Sequence, residues 1–200
     1  MQKPFLMSSF TVKEKPDNVS WEDIKGVLYM AHENNRKHGL IVNSTRLTAD
    51  QLKRQVGDGQ CYVAFDGNKL IGVAAVKIKF SNCWFCHGNV AHFLLGSVLS
   101  DYQGMGVYSA LQNKRLEYVS EHSINIITTH TAANNTKMLR ILPRQGFHRA
   151  MMFRVPQLDH YSIIWVKWMS DRPCRFLIKT EYLKSVVTTK LRFAIKKLLH

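Results

Sequence analysis

The residues best suited to chemistry are Ser100-Asp101-Tyr102-Gln103-Gly104-Met105-Gly106-Val107-Tyr108. An apolar run from His92 to Leu99 feeds them, and a segment of helical character from about Val107 to His122 follows at once. Glycine lets the chain turn sharply and approach a ligand, so that successive N–H groups point at one spot. The positive end of the helix dipole then favours negative charge there. A strand, a glycine turn and a helix start in that order form an anion cradle, and a phosphate or pyrophosphate is its expected guest. The turn is not a dinucleotide fingerprint, because the third glycine is missing. It is not a P-loop either, since no Gly-Lys-Ser/Thr closes it.

A second cluster, Cys83-Trp84-Phe85-Cys86-His87, matches the spacing of haem attachment. A zinc or redox site would need a second ligand pair or a thioredoxin-like setting, and the sequence offers neither. The cluster reads as a strand connection, and no metal is expected.

The elements that must position the glycine turn follow from periodicity and caps. Phe10 to Glu14 alternates as a first strand, and Ser20-Trp21-Glu22-Asp23 is a capping box. Ile24, Val27, Leu28 and Ala31 then predict an amphipathic helix to about Lys37, ended by Gly39. Thr48-Ala49-Asp50-Gln51 opens a shorter helix. Cys61–Phe65 and Leu70–Val76 form a hairpin about Asp66-Gly67-Asn68, and Val90 to Leu99 is the strand entering the turn. Beyond it Val107, Ala110, Leu111 and Tyr118 mark a buried helix face. Ile124–Thr129 is a strand, Asn134–Gln145 a helix cut short by Pro143, and Phe147 onward and Tyr161–Trp168 give two more strands.

Composition limits the setting. Two hundred residues with 46% hydrophobic content suit one α/β domain with extensions. The N-terminus lacks the apolar stretch of a signal peptide, and no run approaches the ~18 apolar residues of a membrane span, so a cytoplasmic location is expected. The net charge of +14 suits nucleic acid, an anionic membrane, an acidic substrate or a cofactor's phosphates. From Asp171 to His200 eight Lys and Arg face two acids. There Leu183, Val187, Leu191, Ala194 and Leu198 form the stripe of an amphipathic helix. Such a tail packs on the domain or a second subunit, or lies on an anionic membrane. A homodimer and a peripheral contact at the inner membrane surface through 171–200 are the partners it suggests.

The glycine turn resembles that of the GNAT superfamily of N-acetyltransferases, Val-x-Pro-x-x-(Gln/Arg)-x-x-Gly-x-(Gly/Ala) at the end of the fourth strand. Here Val98, Ser100, Gln103, Gly106 and Tyr108 fill those positions. The family's second element, Asn followed by a short helix and Gly-Phe, is matched by Asn135 to Gly146-Phe147. The resemblance covers about residues 10 to 168, leaving 169–200 as a basic extension. It implies an α/β (α+β) GNAT fold. The sheet would be mixed, mostly antiparallel, of about six or seven strands splayed between the fourth and fifth, with about four flanking helices.

The resemblance further implies acetyl-CoA as co-substrate and an amine as acceptor. Gln103, Gly104, Met105, Gly106, Val107 and Tyr108 would hold the pyrophosphate, with Val98 and Leu99 along the pantetheine. The amides around Val98 would serve as an oxyanion hole, and Asn135 would touch the pantetheine or cap its helix. Leu142 stands where many members keep a tyrosine that protonates the departing thiolate. No glutamate lies on the fourth strand, so His92 and His130 are the candidate general bases. The acceptor reading favoured is an amino sugar or sugar nucleotide. The alternatives are a small-metabolite, antibiotic or protein amine, or a CoA-binding protein that has lost catalysis. Nucleic acid rests on charge alone and is not the favoured partner.

Overall fold

The computed structural model describes residues 9–40, 42–83, 86–155, 160–169 and 180–190. Its centre is a seven-stranded sheet of β1 (Phe10–Glu14), β2 (Gln60–Asp66), β3 (Lys69–Cys83), β4 (Cys86–Val98), β5 (Ile126–Ala132), β6 (His148–Val155) and β7 (His160–Trp168). They lie in the order β1-β2-β3-β4-β5-β7-β6. Every neighbouring pair is antiparallel except β4 and β5. Parallel neighbours need a long crossover, and α4 (Val107–Glu121) supplies it.

The helices start where their caps dictate. In α1 (Trp21–Ala31) the Ser20 hydroxyl accepts the Asp23 N–H at 3.1 Å while the Asp23 carboxylate accepts the Ser20 N–H at 2.8 Å. Thr48 and Gln51 repeat the device for α3 (Ala49–Val56). Both helices bury an apolar face, Ile24, Val27, Leu28 and Ala31 on the first and Leu52 and Val56 on the second. The helix expected to run on to Lys37 breaks at His32 (φ −107°, ψ 13°) and resumes as α2 (Glu33–Lys37).

The core fills both faces of the sheet around Ile71, Val73, Leu111, Ile127 and Trp165, all fully buried. Truncating Leu111 to alanine there costs about 3 kcal/mol in lost contacts and cavity. The β3–β4 hairpin is longer than expected. Its strands pair from Lys77↔His92 out to Cys83↔Cys86, past the last β2 partner at Val76. Lys77 and Lys79 break the apolar alternation, which is why periodicity ended the strand early. Phe80 on this ribbon is 67% exposed. Cys83 and Cys86 are cross-strand partners, and among the described residues no three metal-ligating side chains cluster.

Helix α5 (Thr136–Arg144) follows β5 and carries Pro143 in its last turn, where little ladder remains to lose. A last helix, α6 (180–190), lies along β6, the edge strand. The Met152 N–H donates to Ser185 Oγ at 3.0 Å, and Thr189 Oγ1 donates to the Met152 carbonyl at 3.1 Å. Tyr182 and Val186 pack onto the core beside them. Leu183 and Val187, the first two members of the expected stripe, face solvent instead, at 53% and 64% exposed. Leu191, Ala194 and Leu198 lie outside the described residues. Among those described, no helix is long and apolar enough to cross a membrane.

Candidate active site

The two parallel strands stay together for three residue pairs only, Ala91↔Ile127, His92↔Thr128 and Phe93↔Thr129. Thr129 Oγ1 donates to the Phe93 carbonyl at 3.2 Å as the last link. Beyond it β4 and β5 part, and the gap opens into a cleft of about 1380 Å³. Alongside this gap β4 carries a bulge in its pairing with β3. Leu94 pairs with Ala75 and Ser97 with Val73, so Leu95 and Gly96 together oppose Ala74. Leu95 sits at φ +53°, a left-handed conformation rare for a branched side chain. Bulges of this kind re-aim backbone groups beside active sites.

At the far end of β4 the glycine turn is closed by its own bonds. The Leu99 N–H donates to the Ile71 carbonyl at 2.9 Å and the Leu99 carbonyl accepts the Tyr102 N–H at 3.0 Å. Gln103 donates its own N–H to Ser100 and reaches back through Nε2 to the Val98 carbonyl at 2.9 Å. Val98 lines the cleft, whereas both main-chain groups of Leu99 are spent on the turn. Tyr102 fastens the turn to the β2–β3 hairpin, its hydroxyl donating to Asp66 at 2.9 Å. That bond raises the Tyr102 pKa above its usual value.

Gly104 and Gly106 both hold positive φ, +87° and +85°, and a Cβ built on either meets no atom within 4 Å. Gly106 begins α4 without a side-chain cap, and the first intrahelical bond runs from the Ala110 N–H to the Gly106 carbonyl. The donors of the first turn therefore have no partner inside the helix. Lys137 of α5 reaches the same place, hydrogen-bonding Gln103 Oε1. Open space, donors without a partner inside the helix and a cation suit a diphosphate. Among the other expected cradle residues, Val107 turns its side chain into the core at 1% exposure, while Met105 is 42% exposed. Asn135 caps α5, accepting the Met138 N–H at 3.2 Å, and also lines the cleft.

The expected bases do meet in the cleft. His92 and His130 stand with ring centroids 4.7 Å apart, and His92 Nδ1 lies 2.9 Å from Thr128 Oγ1. His92 is buried, and desolvation followed by the charge of His130 holds its pKa well below the ordinary histidine value. His130 presents an open face to the cleft and packs edge-on against Phe153 at 5.6 Å. Its enclosure pushes its pKa down to about 4, a depression that cleft water on the open face moderates.

Three more residues belong to the site. His32, at the break between α1 and α2, has Nε2 2.9 Å from Ser97 Oγ and Nδ1 2.8 Å from the Asn35 amide. Burial, and then Arg36, lower its pKa to about 4. Gln55 of α3 carries a buried Oε1 with no hydrogen-bond partner among the described residues. Arg115 of α4 is 2% exposed and lines the cleft from beneath the bulge. Its position four residues after Leu111 and four before Val119 put a charge on a buried face, a signal present in the sequence. The break at His32 has no such signal, because neither glycine nor proline marks it.

The model of the acetyltransferase (GNAT) family matches residues 27–147. Among solved structures, an acetyltransferase from Streptococcus agalactiae is similar at TM-score 0.61 and 16% identity, over 80% of this chain and 98% of that one. Arabidopsis thaliana NAA60, solved with a bisubstrate analogue, aligns at TM-score 0.60 and 19% identity over 80% and 100%. The ribosomal-protein-S18-alanine N-acetyltransferase of Escherichia coli follows at 0.58 and 14% over 82% and 97%. Comparison with curated protein sequences finds no match.

Proposed function

This chain belongs to the GNAT family of acetyltransferases, enzymes that move an acetyl group from acetyl-CoA to an amine, and from that premise we propose that its acceptor is an amino sugar or a sugar nucleotide. Acetyl-CoA supplies an activated acyl group, and the chain's task is to hold it, to position the amine and to remove a proton. Gly104, Gly106 and the start of α4 take the diphosphate. The free edge of β4 takes the arm, and the bulge at Leu95–Gly96 brings main-chain donors to the thioester oxygen. His130, open to the cleft, accepts the amine's proton, and His92 behind it keeps the imidazole in place.

The observation that carries the acceptor class is the polar lining on the α1–α3 side. Asn34, Asn35, Asn43, Ser44 and Gln55 gather there, and the buried Gln55 Oε1 has no partner among the described residues. Neutral amides and hydroxyls match the hydroxyl groups of a sugar. Glu33 is the one carboxylate among the described cleft residues, and it is committed to Lys37 at 3.0 Å. A peptide amine that relies on a carboxylate would find no free one there.

Thiol release from acetyl-CoA tests the reading against a panel of free amino sugars, nucleotide-linked amino sugars and N-terminal peptides. The sugars are expected to turn over at least tenfold faster in kcat/KM than the peptides. Gln55→Ala should raise the KM of the sugar and leave that of acetyl-CoA unchanged. Equal or better use of peptides refutes the assignment.

The basic extension suggests a further property of the same protein, a peripheral hold on anionic lipid. Leu183 and Val187 face outward on α6 with Lys184 and Lys190 beside them. Co-sedimentation with vesicles containing phosphatidylserine checks it, with loss of binding expected for the Leu183→Ser/Val187→Ser variant. Equal sedimentation of the two proteins overturns it.

A further inference from the structure

Arg115 is a buried cation for which the described residues provide no carboxylate. Its Nη1 donates to the Leu94 carbonyl at 3.3 Å, its Nη2 meets Gln112 Oε1, and its Nε has no partner among the described residues. The guanidinium is stacked 4.4 Å from the Phe93 ring centroid and stands 5.9 Å from that of Tyr108. A charge held in this way is costly to bury, and neutral partners offset only part of that cost. It keeps its proton at neutral pH all the same, as a guanidinium does.

The place of this charge is informative. A Cβ on Gly96 would stand 3.4 and 3.5 Å from the two Nη atoms and 3.3 Å from Tyr108 Cε2. Gly96 itself is exposed to the cleft. Arg115 and Tyr108 line the cleft beside Gly96, whose bare α-carbon leaves the guanidinium and the phenol close to the space where β4 and β5 part. The one position in α5 from which a proton donor is expected, Leu142, is 2% exposed and has no polar side-chain atom.

We propose that Arg115, seconded by Tyr108, is the cationic site that stabilises the thiolate of CoA as it leaves. The proposal rests on the acetyltransferase reading. The amine nitrogen bonds to the acetyl carbon and its proton passes to the base. The carbon–sulfur bond then breaks with its electron pair on sulfur, giving the amide and a thiolate. The guanidinium meets that charge until solvent protonates the sulfur. Proton donation from α5 is thereby replaced by a fixed positive charge from α4.

The test is the titration of the thiol of bound CoA, followed by the ultraviolet absorbance of the thiolate. In the wild type it is expected at least one pH unit below the value of about 8.5 usual for a free thiol. Arg115→Gln should return it to that value and lower kcat about a hundredfold, with the KM of acetyl-CoA changed less than threefold. Arg115→Lys should lie between the two. The wild-type titration needs no variant, so a folding defect in Arg115→Gln leaves the outcome readable. An unshifted wild-type thiol overturns the proposal. A rise in the acceptor's KM at constant kcat also overturns it, because Arg115 would then hold the acceptor. Absence of turnover with every amine, beside a shifted thiol, would count against the enzyme reading and not against this charge.

Discussion

His32 Nε2 lies 2.9 Å from Ser97 Oγ, joining residues 65 apart in sequence. The contact exists because α1 breaks at His32 and turns the imidazole onto β4 just past the bulge. Asn35 on the following turn holds the other ring nitrogen. One polar chain thereby links the α1–α2 side of the cleft to β4.

Burial of His32 makes stability depend on pH. Its folded pKa is about 4 against an ordinary 6.5, so between those values the unfolded chain binds the extra proton. Stability should be full above pH 6.5 and decline as pH falls through 4, by up to about 3 kcal/mol. Thermal unfolding measured between pH 7.5 and 4 checks this. His92 and His130, depressed as well, act in the same direction, so His32→Gln should remove only its own share of the fall, and a curve as steep as the wild type's would show that His32 contributes none.

His130 and His92 should separate kinetically. His130→Ala is expected to lower kcat about a hundredfold or more, the range for loss of a general base. His92→Ala, acting through its neighbour, should cost about tenfold. Because the His130 pKa is depressed, the acid limb of kcat/KM should fall below pH 6.5 in the wild type. Equal small losses in both variants would remove the imidazoles from the proton path.

The edge of β6 should be a weak point without α6. Replacing Ser185 and Thr189 by alanine leaves the Met152 N–H and carbonyl without their partners and should cost about 1 kcal/mol for each bond. Calorimetry should show the melting temperature lowered by about 4–8 °C in the double variant. Light scattering on heating should rise earlier, since an uncovered edge invites pairing between chains. Unchanged melting would mean that Tyr182 and Val186 alone hold the helix.

Much of the fold is written locally. Ser20 with Asp23 and Thr48 with Gln51 specify helix starts through their own side chains, and Gly104-Met105-Gly106 specifies a turn through backbone freedom. Such features depend on residues within a few positions of one another and are legible in one sequence. The bulge at Leu95–Gly96 depends on how β4 registers against β3, and the bond from His32 to Ser97 on how two distant elements meet. Neither register nor docking angle leaves a mark at the residues concerned. The outward face of Leu183 and Val187 has the same origin. Periodicity defines a stripe, but the Ser185 and Thr189 bonds to an edge strand decide which face turns inward.

The central claim is that the Gly104–Gly106 turn grips the diphosphate of acetyl-CoA, and titration calorimetry with CoA tests it most directly. Gly106→Trp places a ring in the space that is now open and should weaken CoA binding at least a hundredfold. Its effect on pantetheine, which lacks the diphosphate, should stay within threefold, and circular dichroism should report a folded domain. Unaltered CoA affinity in folded Gly106→Trp would contradict the account.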